Sequence, residues 1–228
     1  LLDGDYSQIE LRVLAHLSGD EHLIRAFNED EDIHTSTAAR VFNVPVGEVD
    51  AQMRRAAKAV NFGIIYGISD FGLASNIGVS RRQAGEYIKE YFQSYPKIKE
   101  FMDRCVSTAK EKGYAQTIMG RRRPMPELTS SNYNTRTFGE RAAMNMPVQG
   151  SAADIIKLAM IRVDRRLREE GLSSRLILQV HDELLVETAV SELEQVKKIL
   201  SEEMRQAAKL KVELEIDMHS GSSWVEAK

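Results

Sequence analysis

The sequence has few of the features that would place it in several common classes of protein. Among 228 residues there is one cysteine, Cys105, so the chain cannot form an internal disulfide. Cys105 lies among apolar residues of a predicted helix, and we expect it to be buried rather than reactive. No apolar run approaches the roughly 20 residues that a membrane-spanning helix needs, and no signal peptide opens the chain. These absences favour a cytoplasmic protein that does not enter a membrane.

An excess of positive charge is also missing. The net charge is −3 and the isoelectric point is near 6.0, which argues mildly against nucleic acid as a partner. The cations are nevertheless clustered, at Arg54 to Lys58, at Arg81 and Arg82, and at Arg121 to Arg123. With 43% hydrophobic and 29% charged residues, the composition is typical of a soluble protein with a substantial core.

Four side chains recur every four residues in the segment RRAAKAVNFGIIYG, namely Arg54, Lys58, Phe62 and Tyr66. A helix turns about 100° per residue, so these four form one slowly winding stripe. Two cations one turn apart can bind a polyphosphate, and an aromatic ring further on can lie against a base or a sugar. The stripe therefore predicts a binding helix for a nucleoside triphosphate. A solvated basic edge of an amphipathic helix is the alternative.

Three segments together resemble the motifs of family A DNA polymerases of the bacterial DNA polymerase I type. They are DYSQIELR at residues 5–12, the stripe just described, and QVHDELLVE at residues 179–187. They occur in the order found in that family, and the similarity covers essentially the whole chain. The resemblance implies a DNA-directed DNA polymerase, a nucleotidyltransferase of DNA replication and repair.

The pattern of elements predicts an α+β fold. Strands are predicted near both ends of the chain, at residues 1–7 and in the 175–217 region, with helices between them. We therefore expect one mainly antiparallel sheet built from both ends of the chain, with a large helical insertion. In the terms of the family, residues 1–35 and 135–228 form the palm, and residues 36–134 form the fingers.

Two aspartates are the predicted metal ligands. Asp5 lies where the first predicted strand ends and a helix begins, and Asp182 lies in the predicted turn of a hairpin that spans residues 176–187. Phosphoryl transfer uses paired divalent ions, and Mg²⁺ prefers a few carboxylates with room for phosphate oxygens and water. The resemblance implies two Mg²⁺ ions, for which Mn²⁺ can substitute, with the backbone carbonyl of Tyr6 assisting. Glu183 is adjacent and is expected to tune the site.

The resemblance also implies roles in binding the dNTP. It assigns Arg54 and Lys58 to the triphosphate, and it lists Gln8 among the nucleotide contacts. It places Glu10 and Phe62 near the sugar, where they favour deoxynucleotides and disfavour dideoxynucleotides, respectively. Without the resemblance, Glu10 is better interpreted as a solvated helix residue. For His34, a structural role at the start of a helix and a phosphate contact remain open.

Contacts to primer–template DNA form the last predicted group. The resemblance assigns Arg141, Asn145, Gln149 and His181 to the minor groove near the primer terminus, and Tyr66 to the neighbourhood of the template base. Minor-groove acceptors lie at similar places on every base pair, so such contacts test the shape of the pair. We expect the protein to act as a monomer.

Two other functions remain open. A single-subunit RNA polymerase shares the aspartates and the basic helix, although Glu10 and Phe62 argue against it. A non-catalytic fragment that binds primer–template is the second, and intact Asp5, Asp182 and Lys58 argue against it. The chain begins at the first catalytic motif, so we expect the thumb, the early palm strands and any exonuclease domain to be absent and DNA binding to be weak.

Overall fold

The computed structural model describes residues 1–227. The six strands of this part of the chain are β1 Leu2–Tyr6, β2 Tyr114–Gln116, β3 Arg122–Pro124, β4 Arg175–Val180, β5 Glu183–Glu187 and β6 Ile216–Ser220. The α-helices are α1 Ile9–Ser18, α2 Glu21–Asn28, α3 Ile33–Phe42, α4 Ala51–Ile65, α5 Asp70–Ile77, α6 Arg81–Ser94, α7 Pro96–Lys112, α8 Tyr133–Glu169 and α9 Leu193–Arg205. No helix within residues 1–227 is both long and apolar enough to span a membrane.

The chain divides into two compact units. The sheet unit comprises Leu1–Glu10 and the described part of Ser151–Lys228, and the helical unit comprises Leu11–Gly150. The sheet unit contains four strands in the order β4-β5-β1-β6, and all neighbouring pairs are antiparallel. Strands from both ends of the chain therefore share one sheet, which confirms the predicted α+β class. The palm and fingers boundaries at residues 35 and 134 stay a prediction.

Strand β1 lies at the centre of this sheet, and its two faces differ in chemistry. Leu2, Gly4 and Tyr6 are buried on one face, because side chains alternate along a strand. Helix α9 packs on this face, and the Tyr6 hydroxyl donates to the carbonyl oxygen of Met204 at 2.6 Å. Asp3 and Asp5 belong to the opposite face. Packing of α9 thus fixes which way the two aspartates point.

Gly4 allows the close approach of α9. A Cβ atom at Gly4 would lie 2.7 Å from Cδ2 of Leu200 and 3.2 Å from Sδ of Met204. We expect Gly4→Ala to lower the free energy of unfolding by about 1–3 kcal/mol, the usual cost of overpacking a core. Chemical denaturation measures this change. Gly47→Ala is the matched control, since a Cβ there meets nothing within 4 Å. Equal effects of the two substitutions would contradict this account of Gly4.

Caps account for the helix boundaries of the helical unit. The sequence predicts Asp20 and Asp32 as N-caps, and both accept hydrogen bonds from the first-turn amides of α2 and α3. Ser80 forms a full capping box with Gln83 at the start of α6, and Gly113 ends α7 with a φ of 77°. Helix α5 lies in a stretch for which no helix is predicted.

Three local predictions are wrong in part. The helices predicted at residues 138–149 and 151–170 are one helix, α8, because Pro147 removes only one backbone donor and the helix continues on both sides. The strand predicted at residues 212–216 starts at Ile216, since Tyr6, the last residue of β1, pairs there. Cys105 is only partly buried, although burial raises the pKa of its thiol to about 12.

Candidate active site

The candidate carboxylate site lies on the face of the sheet opposite α9. Asp5 is directly opposite Glu183 of β5 and directly opposite Asp217 of β6. Directly opposed residues of antiparallel strands share a face, with Cβ atoms about 4.5–5.5 Å apart. Three carboxylates therefore form a row across three strands. Asp3 lies on the same face of β1, two residues before Asp5.

Asp182 reaches this row from the hairpin turn. The turn consists of His181 and Asp182, and His181 has a φ of 51°, the left-handed region used in tight turns. The side chain of Gln179 donates to the carbonyl oxygen of His181 at 2.8 Å. The carbonyl oxygen of Asp182 accepts from the amide of Tyr6 at 3.2 Å, which holds the turn beside the end of β1. The sequence pattern predicts a turn of three residues, His181, Asp182 and Glu183, but Glu183 is the first residue of β5.

The charges of this cluster repel one another. Burial, followed by repulsion from Asp182, Asp3, Glu183 and Asp217, raises the pKa of Asp5 to about 6. Burial also raises the pKa of Asp182. Oδ1 of Asp5 is buried and has no hydrogen-bond partner among the described residues.

These observations fit a divalent cation bound by oxygen ligands, because a cation would neutralise the repulsion and occupy the unused oxygen. No set of three or more His, Cys, Asp or Glu side chains within residues 1–227 is arranged as a complete metal site. Mg²⁺ commonly binds through one or two carboxylates together with water and substrate phosphates. Asp5 and Asp182 therefore supply the one or two carboxylates with which Mg²⁺ commonly binds.

We expect Asp5→Asn to stabilise the protein when divalent cations are removed. The cost of holding Asp5 ionised, from burial and then from repulsion, is fully present above its raised pKa of about 6 and is lost below its ordinary pKa of 3.8. After discounting for solvent screening, we expect the substitution to raise the free energy of unfolding at pH 8 by about 1 kcal/mol. This corresponds to a rise of about 2–4 °C in melting temperature. Scanning calorimetry in the presence of a chelator measures the difference in melting temperature between Asp5→Asn and the wild type. Added Mg²⁺ should make this difference smaller.

Glu187→Gln is the control for this measurement, since Glu187 lies on the same face of β5 but about 13 Å along the strand from Glu183. Glu187→Gln removes the same charge at a distance from the row, and we expect a much smaller change in melting temperature. A melting temperature for Asp5→Asn equal to or below that of the wild type in chelator would contradict the electrostatic description of the site.

In the helical unit, the predicted stripe follows one side of α4. Arg54 and Lys58 are exposed, Phe62 is partly buried, and Tyr66 caps the end of the helix with 45% of its surface exposed. The other side carries buried small and apolar residues, which are Ala56, Ala57, Val60, Ile64 and Ile65. Burial of that face directs the stripe outward.

Asp32 positions the first cation of the stripe. Nε of Arg54 donates to Oδ2 of Asp32 at 2.7 Å. Burial opposes ionisation of Asp32, but hydrogen bonds from Arg54 and Thr35 prevail and lower its pKa to about 2. The same carboxylate caps α3, so it joins the start of α3 to the stripe. The sequence predicts only the cap, because the ion pair joins residues 22 positions apart.

His34 is buried beside the stripe. Its ring centroid lies 5.8 Å from that of Phe62, and its Nδ1 lies 3.1 Å from Nδ2 of Asn61. Burial, with help from Arg54 and Lys58, lowers the pKa of His34 to about 4, so the imidazole is neutral near pH 7. These contacts support the structural role considered for His34, and its phosphate contact stays a prediction.

The C-terminal end of α4 packs against the predicted DNA-contacting segment of α8. Gly67 has a φ of 63°, and a Cβ there would lie 2.9 Å from Cγ of Arg141. Asn145 and Gln149 follow Arg141 at helical spacing; Gln149 is exposed and Asn145 is partly buried. The structure therefore brings the end of the stripe and this face of α8 together.

The predicted residues thus fall into two groups. The sheet unit carries Asp5, Tyr6, Gln8, Glu10, His181 and Asp182, and the helical unit carries His34, Arg54, Lys58, Phe62, Tyr66, Arg141, Asn145 and Gln149. Asp217, a member of the row, and Asp3, on the same face of β1, are not among the predicted residues. The spacing Asp-Gly-Asp in a strand is the signal that indicates Asp3, since alternate residues share a face.

Fold and site together define an α+β protein with a carboxylate centre suited to divalent cations and a separate cationic helix. The sequence model of the family described as DNA polymerase family A matches residues 1–226. This chain belongs to DNA polymerase family A.

Individual relatives agree with this assignment. DNA polymerase I of Bacillus caldotenax is 55% identical over 99% of this chain and 26% of its own length. DNA polymerase I of Bacillus subtilis is 56% identical over the same shares. A solved structure of the polymerase domain of Pol1 from M. smegmatis, in complex with DNA primer-template and dNTP, superimposes with a TM-score of 0.95. It is 46% identical over 99% of this chain and 40% of that chain. The chain spans about a quarter of the length of these curated relatives.

Proposed function

We propose that this chain is the catalytic core of a template-directed DNA polymerase. The primer 3′-hydroxyl loses its proton to solvent water, and its oxygen forms a bond to the α-phosphorus of a dNTP. The bond between the α-phosphorus and the oxygen that bridges to the β-phosphate breaks, which releases pyrophosphate. The observation that carries the proposal is the position of Asp5, at the centre of an acidic row and beside the Asp182 turn. The similarity to a polymerase solved with DNA primer-template and dNTP supports the choice of substrates.

Asp5 and Asp182 are the proposed ligands of two Mg²⁺ ions, with the backbone carbonyl of Tyr6 assisting. When bound, the ions activate the attacking hydroxyl and stabilise the leaving pyrophosphate. The sheet keeps the two carboxylates in place before any ion binds, because Asp5 lies in a central strand and the Asp182 turn is bonded to Tyr6.

Arg54 and Lys58 are the proposed ligands of the triphosphate. Asp32 holds the Arg54 side chain by one nitrogen, which leaves the other guanidinium donors available in a fixed orientation. Lys58 lies one turn further along the exposed side of α4 as a mobile point charge. Charge grows on the leaving pyrophosphate during the reaction, so both cations bind the transition state more strongly than the substrate.

The remaining predicted residues are proposed to contact the sugar of the nucleotide and the DNA. Phe62, Glu10 and Gln8 are proposed to contact the nucleotide, and Tyr66 the neighbourhood of the template base. Arg141, Asn145, Gln149 and His181 are proposed to contact the minor groove of the primer–template. The monomeric state and the cytoplasmic location stay predictions.

Glu10→Ala is expected to admit ribonucleotides. Glu10 lies partly buried in the first turn of α1, five residues after Asp5, and its removal would open space for a 2′-hydroxyl. The ratio of kcat/KM for dNTP and rNTP should fall at least tenfold, a loss of about 1.4 kcal/mol of discrimination. An unchanged ratio would show that Glu10 is only a solvated helix residue.

Template-directed extension tests the proposed function. Four primer–templates that differ in one templating base are each offered the four dNTPs singly, with Mg²⁺ and the full-length protein. We expect extension only by the complementary dNTP, and much slower extension by the matching rNTP. Preferred use of rNTPs would favour a single-subunit RNA polymerase. DNA binding without extension would favour a non-catalytic fragment.

A further inference from the structure

A buried chain of hydrogen bonds joins α3, α4 and the start of α7. The Tyr95 hydroxyl lies 3.2 Å from Oγ1 of Thr37, and Oγ1 lies 3.2 Å from Oδ1 of Asn61. Nδ2 of Asn61 lies 3.1 Å from Nδ1 of His34. At most 4% of the surface of any of these four residues is exposed. Buried polar chains of this kind are stabilising only when every member is satisfied.

The donors and acceptors of this chain can be assigned in order. Oδ1 of an amide only accepts, so the Thr37 hydroxyl donates to Asn61. The Tyr95 hydroxyl must then donate to Thr37, whose single proton is already used. With the reverse amide orientation, the amide would donate to Thr37, so the proton of either the Thr37 or the Tyr95 hydroxyl would need a further acceptor. Residues 1–227 show no further partner for either hydroxyl. The network therefore favours one orientation of the Asn61 amide.

This orientation determines the state of His34. The Asn61 amide presents an N–H to Nδ1 of His34, so Nδ1 must be an unprotonated acceptor and the ring proton must lie on Nε2. Among charged neighbours, Arg54 and Lys58 oppose protonation of the ring and Asp32 favours it. The ring is held next to Phe62, with an angle of 47° between the planes.

We propose that Asn61 is a positioning residue that holds His34 as the neutral Nε2–H tautomer against Phe62. In this state His34 offers a nucleoside triphosphate a hydrogen-bond donor without a third positive charge beside Arg54 and Lys58. The tautomer is a property of the ligand-free protein, whereas its use by a nucleotide rests on the proposed function.

Nuclear magnetic resonance of the histidine rings tests the first half of this inference. In the ligand-free protein, the ¹⁵N shifts of His34 should show an unprotonated Nδ1 and a protonated Nε2, unchanged between pH 5.5 and 8. Asn61→Asp should attract a proton to Nδ1 and bring the titration of His34 into that range. Thr37→Val removes the partner of both the Asn61 amide oxygen and the Tyr95 hydroxyl, so it frees the amide to rotate and should give a mixture of tautomers. A protonated Nδ1 in the wild type, or titration of the wild-type ring near pH 6.5, would overturn the inference.

Steady-state kinetics of the full-length protein test the second half. At a pH above the titration of His34 in Asn61→Asp, the single ring proton of the variant lies on Nδ1 and Nε2 has lost its donor. We expect KM for dNTP to rise about tenfold there, the effect of one lost hydrogen bond to a charged group, with a smaller change in kcat. Asn76→Asp, which adds the same charge at an exposed position of the helical unit, is the control and should leave both constants unchanged. Equal KM values for the two variants would overturn the positioning role. An absence of extension in the wild type would instead overturn the proposed function and leave the tautomer result standing.

Discussion

Asp182→Asn is expected to abolish template-directed extension, with a fall in kcat of at least 1,000-fold, or about 4 kcal/mol of transition-state stabilisation. The substitution removes a charged ligand and retains the shape of the side chain. Asn also favours tight turns, so the hairpin should be kept. The backbone bond from Tyr6 to the carbonyl oxygen of Asp182 does not involve the side chain. DNA affinity should therefore change little.

Single-turnover extension, with DNA binding measured in parallel, checks this result. Glu187→Gln is the control, because it removes one carboxylate charge from the far end of β5. We expect the control to retain wild-type extension. Extension by Asp182→Asn within about tenfold of the wild type would contradict its role as a ligand.

Lys58→Ala is expected to impair dNTP incorporation by about 100-fold in kcat/KM. A charge-assisted hydrogen bond contributes about 1.5–3 kcal/mol, and more where charge develops in the transition state. Arg54→Ala should act in the same direction and should also leave the Asp32 carboxylate without its ion pair. It is therefore expected to lower stability slightly, whereas Lys58→Ala is not.

The control for Lys58 is Arg55→Ala, which removes one exposed charge from α4 at a position outside the stripe, about 60° around the helix axis from Lys58. Titrations with dNTP and salt-dependent DNA binding are measured for both variants. The contrary result is that Lys58→Ala lowers the DNA affinity and the slope of its dependence on salt concentration while dNTP kinetics stay normal. That result would show that the stripe binds the DNA backbone.

Elements with strong local signals are predictable from this sequence. The stripe of α4, the N-caps Asp20 and Asp32, and the hairpin around His181 and Asp182 all follow from spacing or turn chemistry. Each depends on residues within a few positions of one another.

Features that depend on distant partners are not predictable in this way. Asp217 joins the acidic row only because Tyr6 pairs with Ile216, more than 200 residues away in sequence, and this pairing sets the register of β6. Val212 and Leu214 alternate and are buried, but the ladder begins only where β1 supplies a partner. The burial of His34 likewise depends on packing between α3 and α4.

The roles of the individual residues come mainly from the resemblance to the family. Periodicity places Arg54 and Lys58 on one side of a helix, but it does not distinguish a triphosphate from solvent. The acidic row adds a physical reason to expect a cation at Asp5, because Asp5 carries an unused buried oxygen among repelling charges. For Lys58 and Glu10, substitution is the corresponding test.

Counting bound Mn²⁺ tests the central claim most directly. Electron paramagnetic resonance gives the number of ions per complex of the full-length protein with primer–template and a dNTP analogue that cannot react. We predict about two ions for the wild type, the number used in paired-ion phosphoryl transfer, and fewer than one for the double substitution Asp5→Asn, Asp182→Asn. Two ions retained by the double variant would contradict the assignment of these aspartates as the metal ligands.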